Sequence, residues 1–171
     1  MTELIHANLG LLDQVLELLE RLDPETYVRT SPVFSNSAIG GHVRHSLEHY
    51  ESLVTGLPEG RVNYDRRARN PIIETQPAAA IASTQDLKAK LSALAVAALP
   101  QEIRVLMDHD AGSPNEEWQS SFICRELQFL ISHTVHHFAI IAGLCRLHGV
   151  AVGESFGVAP STLRHRASLK I

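Results

Sequence analysis

The stretch Leu130-Ile131-Ser132-His133-Thr134-Val135-His136-His137-Phe138-Ala139-Ile140-Ile141 decides how this chain folds. Its apolar residues belong to a longer pattern, Ile123, Leu127, Leu130, Ile131, Val135, Phe138, Ile141 and Leu144, that covers most faces of one helix. A helix apolar nearly all round is a buried, central one. The pattern predicts a helix capped by Ser120 or Ser121, running to His148, with Gly149 as its stop. His133 and His137 are four residues apart, so they lie on one face about one turn apart and can converge on one metal ion. A histidine within such an apolar arc must be paired, bonded or liganded to offset its desolvation. Neutral imidazole suits Zn, Ni, Cu and Fe.

A second histidine stripe lies upstream, in Ala38-Ile39-Gly40-Gly41-His42-Val43-Arg44-His45-Ser46-Leu47-Glu48-His49-Tyr50. His42, His45 and His49 recur at three and four, along one helix edge, while Ile39, Val43, Leu47, Tyr50 and Val54 form the apolar stripe. Ser35 or Ser37 is placed to cap this helix, Gly40 and Gly41 suit close helix approach, and Gly56 and Pro58 end it. Two further helices flank the pair. Residues 3–22 carry Leu4, Ile5, Leu9, Leu12, Val15, Leu16 and Leu19 at the 3.6 period, and Asp23-Pro24 ends them. Another helix starts near Ser83-Thr84, with Leu87, Leu91, Leu94 and Ala95 on one face, and Pro100 stops it. Between them, residues 57–82 read as a long loop, the kind that is functional or disordered in a compact domain. Ile103, Val105 and Met107 alternate ahead of the turn cluster Ala111-Gly112-Ser113-Pro114-Asn115. The expectation is therefore an all-α, four-helix bundle of up-down-down-up type with a long crossover loop and a short β-hairpin before the last helix. Such bundles often hold metals between facing helices.

Composition bounds the function. At 171 residues and 18.8 kDa, the whole chain 1–171 is expected to form one domain. A net charge of −4 and a pI near 6.2 leave no electrostatic footprint for nucleic acid. The local basic cluster Arg61, Arg66, Arg67 and Arg69 reads as a solvated loop pairing with nearby acids. No apolar run of spanning length stands out, and Met1-Thr2-Glu3-Leu4 lacks the features of a signal peptide, so no membrane partner and a cytoplasmic location are expected. Cys124 and Cys145 share the last helix at roughly 31 Å, too far for a disulfide, and read as buried thiols. Leu11 and Leu18 fall off the main stripe of the first helix, so an isologous homodimer along that edge stands beside a monomer.

The chain resembles the DinB-like family of four-helix bundle metalloproteins. The resemblance covers the helical layout and rests on Ser37-Ala38-Ile39-Gly40-Gly41-His42-Val43-Arg44-His45 on the second helix and His133-Thr134-Val135-His136-His137 on the fourth. In that family one histidine of helix two and an HxxxH pair of helix four bind a divalent metal. Carried onto this sequence, the resemblance implies His45, His133 and His137 as ligands of Zn, Ni or Fe, with His42 and His49 as alternates to His45. Many relatives follow the pair with Arg-Gly-Gln, where this chain has Phe138-Ala139-Ile140.

Three neutral histidines leave open positions on a divalent ion, the pattern of a catalytic site. The resemblance implies a metal-dependent enzyme that activates a thiol or water nucleophile, of thiol transferase or hydrolase type, acting on a small-molecule substrate such as a low-molecular-weight thiol. Tyr64, Asp65 and Arg125 are the candidate substrate contacts, with Glu48 as a further base, and the open positions are expected to face a cleft lined by the 57–82 loop. The alternatives are a non-catalytic metal-binding or stress-response module and a metal-free helical interaction protein.

Overall fold

The computed structural model describes residues 1–94, 101–109 and 117–169. Helices dominate it: α1 (Thr2–Leu19), α2 (Pro24–Val28), α3 (Ile39–Gly56), α4 (Pro71–Thr75), α5 (Pro77–Ser92), α6 (Ile123–Leu147) and α7 (Pro160–Ser168). Three short strands accompany them, β1 (Arg61–Asn63), β2 (Glu102–Leu106) and β3 (Gln119–Phe122). The long helices α1, α3, α5 and α6 pack in a closed circuit, α1 on α5 and α6, and α3 on α5 and α6.

The periodic leucines explain that circuit. Leu12, Val15, Leu18 and Leu19 of α1, Leu47 and Leu53 of α3, Leu87 and Leu91 of α5, and Leu127, Leu130, Phe138 and Leu144 of α6 are all buried. One polar network crosses this core. Asn8 of α1 donates to the Leu127 carbonyl (3.1 Å) and accepts from the Tyr50 hydroxyl (2.9 Å), which in turn accepts from Thr134 (3.3 Å). The Asn8 amide and the Tyr50 and Thr134 hydroxyls are thereby partnered, so the network ties α1, α3 and α6 together rather than weakening them.

The expected β-hairpin is present. β2 pairs antiparallel with β3, Ile103 opposite Ser121, and Ile103 and Val105 point inward. β1 adds a third strand, parallel to β2 with Val62 opposite Val105. The turn cluster 111–115, Ala95 and the stop at Pro100 lie outside the described residues.

Several expectations need correction. Residues 57–82 are not one long loop, because they contain β1, α4 and the start of α5. The prolines that read as breaks are helix starts. Pro71 and Pro77 sit in first turns, where a missing N–H costs nothing, and Asn70 caps α4 by accepting from Ile72 N–H (3.0 Å). Thus α5 begins at Pro77, six residues ahead of Ser83. The serines expected as caps do not cap. Neither α3 nor α6 has a side-chain cap, and their N-cap residues are Ala38 and Phe122. Leu11 and Leu18 are buried, so the exposed edge on which a dimer was argued does not exist. Cys124 is exposed and only Cys145 is buried, where burial pushes its thiol up to about 11. Gly149 does end α6, with φ +75°.

By length and composition alone, α6 is apolar enough to cross a membrane, although no unbroken apolar run marks it in the sequence. Core helices pass the same test, and α6 packs on α1 and α3.

Two glycines set the geometry near the histidines. A Cβ on Gly40 would stand 2.0 Å from the Glu74 carbonyl oxygen and 2.8 Å from the Tyr27 ring, so α4 and α2 can close on the first turn of α3 only because that residue lacks a side chain. Gly157, at φ +68°, lets the chain beyond α6 lie on the Phe138–Ala139 backbone, where Phe156 stacks on Phe138 at 4.8 Å.

Candidate metal centre

α3 and α6 face one another, and their histidines meet at the seam. His42, His45 and His49 come from α3, and His133 and His137 from α6. Ring centroids lie 4.5 Å apart for His45–His49, 5.0 Å for His45–His133, 4.5 Å for His45–His137, 4.1 Å for His49–His133 and 4.7 Å for His133–His137. His136 stays on the exposed side of α6, edge-on to His137.

Hydrogen bonds assign roles to the ring nitrogens. His49 Nδ1 lies 2.8 Å from the His45 carbonyl oxygen, so it carries the proton and leaves Nε2 as a lone pair. Arg67 donates through Nη1 to His45 Nδ1 at 2.5 Å, which puts the His45 proton on Nε2, facing His133 Nε2 at 3.0 Å. His42 Nδ1 faces His137 Nδ1 at 3.0 Å, and its Nε2 lies 2.9 Å from Ser37 Oγ. Burial is the main reason all five rings resist protonation. It lowers His42, takes His49 and His133 to about 4 and His137 to about 3, and with the crowding of neighbouring rings and Arg67 takes His45 to about 2. At neutral pH the seam is a set of uncharged imidazoles.

That set fits a divalent ion. One ring nitrogen each from His45, His49 and His133 lie within 4.8 Å of one another. Two nitrogens on one tetrahedral ion with bonds of 2.0–2.1 Å stand roughly 3.3 Å apart, so the 3.0 Å between His45 and His133 is close to that spacing. An all-imidazole set suits Zn, Ni, Cu or Fe rather than Mg or Ca. His137 sits against both His45 and His133, but its Nδ1 is engaged with His42. Sequence spacing holds His49 only as a substitute for His45. The structure instead places it beside His45, because positions 45 and 49 are one turn apart on the same edge of α3.

The other candidates are dispersed. Tyr64 is buried, stacks on His49 (5.5 Å, 21°) and donates to Glu126 Oε2 at 2.9 Å. Arg125 is exposed, pairs with Glu126 at 2.9 Å and lies over the Phe129 ring. Asp65 accepts from Asp108 N–H at 2.7 Å and serves the loop rather than the histidines. Glu48 accepts from Arg44 (2.9 Å) and Asn70 N–H (2.8 Å), which fastens the segment after Arg67 to α3. Among the basic cluster, only Arg67 reaches the seam. Glu126, completely buried, was not foreseen. It accepts from Tyr64, Ser121 and Arg125, and its place one turn before the buried Leu130 on α6 was the available signal.

A cavity of about 440 Å³ opens at the seam. Its wall includes His42, His45 and His137, the 36–38 segment, and Arg44 with Glu74, which pair at 2.9 Å. It differs from the cleft expected from residues 57–82, of which only Glu74 and Thr75 take part, while Tyr64 N–H bonds the Leu106 carbonyl and Asp65 accepts from Asp108 N–H.

No family model matches this chain, and no solved structure matches it. FK506-binding protein 5 of Rhizopus delemar (strain RA 99-880) is 31% identical over 164 residues, which cover 94% of this chain but 37% of that protein. The chain therefore spans little more than a third of the length of this relative.

Proposed function

We propose that this chain is a divalent-metal-binding protein of the DinB-like kind, with α1, α3, α5 and α6 as the four helices of its bundle. His45 and His133 hold the ion, with His49 or His137 as the third ligand. The observation that carries this reading is the convergence of His45, His49 and His133 nitrogens within 4.8 Å. Burial keeps these rings neutral, so none has to lose a proton to solvent at pH 7 before it can ligate. The His45 carbonyl fixes the His49 ring through Nδ1. The cavity of about 440 Å³ admits a small molecule to His45 and His137. A divalent ion in this place supplies a Lewis acid that brings a thiol or water pKa toward neutrality, which supports metal-dependent transferase or hydrolase chemistry.

The test is elemental analysis of protein stripped with chelator and reloaded with Zn(II), Ni(II) or Fe(II). One ion per chain is expected, lost in His45→Ala and in His133→Ala. Whichever of His49→Ala and His137→Ala also loses it names the third ligand. Wild-type protein that retains no ion overturns the reading. Small thiols and their conjugates are then offered to loaded and stripped protein. Turnover only when loaded supports the enzyme, and stoichiometric metal without turnover leaves a non-catalytic binding module.

A further inference from the structure

Ser37 ought to cap α3, yet α3 begins at Ile39 with Ala38 as its N-cap and no side-chain cap. Its hydroxyl is turned to His42 instead, with Oγ 2.9 Å from Nε2. The other nitrogen of that ring, Nδ1, faces His137 Nδ1 at 3.0 Å. Either of two opposite sets of tautomers satisfies both contacts, and in one of them His42 is a base toward Ser37. In that set Ser37 O–H donates to His42 Nε2, His42 Nδ1–H donates to His137 Nδ1, and His137 carries its proton on Nε2. This is the order of roles in a nucleophile, a base and a group that orients the base. All three residues line the same cavity of about 440 Å³.

The segment before Ser37 is built to hold it. Ser31 and Ser37 form an antiparallel bridge, with Ser31 N–H on the Ser37 carbonyl at 3.1 Å, and Ser37 N–H is taken by the Phe34 carbonyl at 2.9 Å. Ser35 and Asn36, in the left-handed region at φ 52° and 57°, turn the chain sharply just ahead of it. Side chains other than glycine adopt that conformation at a cost, and such residues collect at functional sites. The first turn of α3, which no side chain caps, reaches the cavity through Gly41.

We propose that Ser37, His42 and His137 form a nucleophilic centre, independent of any metal ion, that hydrolyses small esters. Ser37 Oγ attacks the ester carbonyl carbon as its proton passes to His42 Nε2. The tetrahedral adduct collapses, the C–O bond to the alcohol breaks, and the alcohol leaves with the proton from His42. Water then attacks the acyl-Ser37 carbonyl, giving its proton to His42. The carboxylic acid departs, and Ser37 Oγ takes the proton back. No electrons are transferred, and water is the one co-reactant.

The experiment uses the full chain, once stripped with chelator and once loaded with Zn(II), and a fluorophosphonate probe. One adduct per chain, mapped to Ser37, is expected in the stripped protein and should be absent from Ser37→Ala. A positioned base contributes 10²–10⁴-fold, so His42→Ala should slow labelling by at least about 100-fold. Hydrolysis of p-nitrophenyl acetate should fall in parallel. Ser37→Cys keeps a nucleophile beside His42 and should react with iodoacetamide faster than Cys124 does, a readout that a hydroxyl used only for packing would not give. An adduct absent from Ser37 in stripped protein, or labelling equally fast in His42→Ala, overturns the proposal. Metal stoichiometry, which Ser37→Ala should leave at the wild-type value, keeps that failure separate from failure of the metal reading.

Discussion

Replacing Arg67 with methionine should tighten metal binding. Arg67 Nη1 stands 2.5 Å from His45 Nδ1. An ion on His45 Nε2 would lie across the ring, which places it about 6 Å from the guanidinium nitrogen once a bond of 2.0–2.1 Å is added. Coulomb repulsion between a dication and this single charge is about 5 kcal/mol at an effective dielectric of 20 and about 1.4 kcal/mol in water. Arg67 is only partly buried and can turn toward solvent, so the lower figure is the one to use. That figure corresponds to about a tenfold change in Kd.

Tautomer chemistry acts in the same direction. While Arg67 donates to Nδ1, the His45 proton must sit on the nitrogen that the ion needs. Loading moves the proton to Nδ1, where it would face an arginine N–H, so the guanidinium has to withdraw. Its Nε is already buried without a hydrogen-bond partner among the described residues, so little holds it there. The assay is a competition titration against a chromophoric zinc chelator at pH 7.5, for wild type and Arg67→Met, at low and high salt. Kd should fall about tenfold, and the gain should shrink in high salt. An unchanged or weaker affinity, with helical circular dichroism intact, would refute the reasoning and make Arg67 a support of the site.

Other consequences follow from the same geometry. His49 and His133 at about 4, His137 at about 3 and His45 at about 2 are depressed from an unfolded value near 6.5, so between these limits the unfolded chain binds more protons than the folded one. Stability of the stripped protein should therefore fall as pH drops below about 6.5, by at most about 1.4 kcal/mol per pH unit for each histidine before solvent screening, and urea titrations at pH 7, 6 and 5 read it directly. Gly40→Ala should destabilise by roughly 1–3 kcal/mol despite the better helix propensity of alanine, since its methyl meets the Glu74 carbonyl and the Tyr27 ring; a gain in urea midpoint would contradict this packing. Tyr64→Phe removes a donor from the fully buried Glu126 and should cost about 1–3 kcal/mol in urea unfolding, whereas Asp65→Asn should cost far less.

What could be read in the sequence was what repeats along one helix. α1, α3 and α6 carry the 3.6 period for eighteen residues or more, and Leu12, Val15 and Leu19 of α1, Val43 and Leu47 of α3, and Leu127, Leu130 and Leu144 of α6 are buried as expected, while Leu11 and Leu18 of α1 are buried although they fall off the stripe. The histidine seam followed from the same period. β1 was out of reach because three residues show no alternation, and its partner β2 lies some forty residues away. α4 and the start of α5 were hidden because proline marks both an interruption and a first helical turn. The third histidine turned on rotation about α3. Spacing places His42, His45 and His49 on one edge but does not say which rings the opposite helix touches, and the structure divides them, His42 toward Ser37 and His49 toward His133. Arg67 stood out only as one of a basic cluster, with nothing local to pair it with His45. It reaches His45 only because Glu48 holds Asn70 against α3.

The role of an ion here can be separated from that of a structural metal by asking what the fold rests on. Small zinc-dependent domains unfold without metal because nothing else fills their core. This chain buries leucines from four long helices and links three of them through Asn8, Tyr50 and Thr134, none of which depends on an ion. The histidine rings also satisfy one another in complementary tautomers without an ion, His45 toward His133 and His42 toward His137. An ion then adds only its binding energy, RT ln(1 + [L]/Kd), or about 2.7 kcal/mol at a hundredfold excess over Kd. Chelation should accordingly lower Tm while leaving the helical circular dichroism at 25 °C unchanged. Loss of the helical signal on chelation would mean that the seam is part of the core, and the ion a structural one.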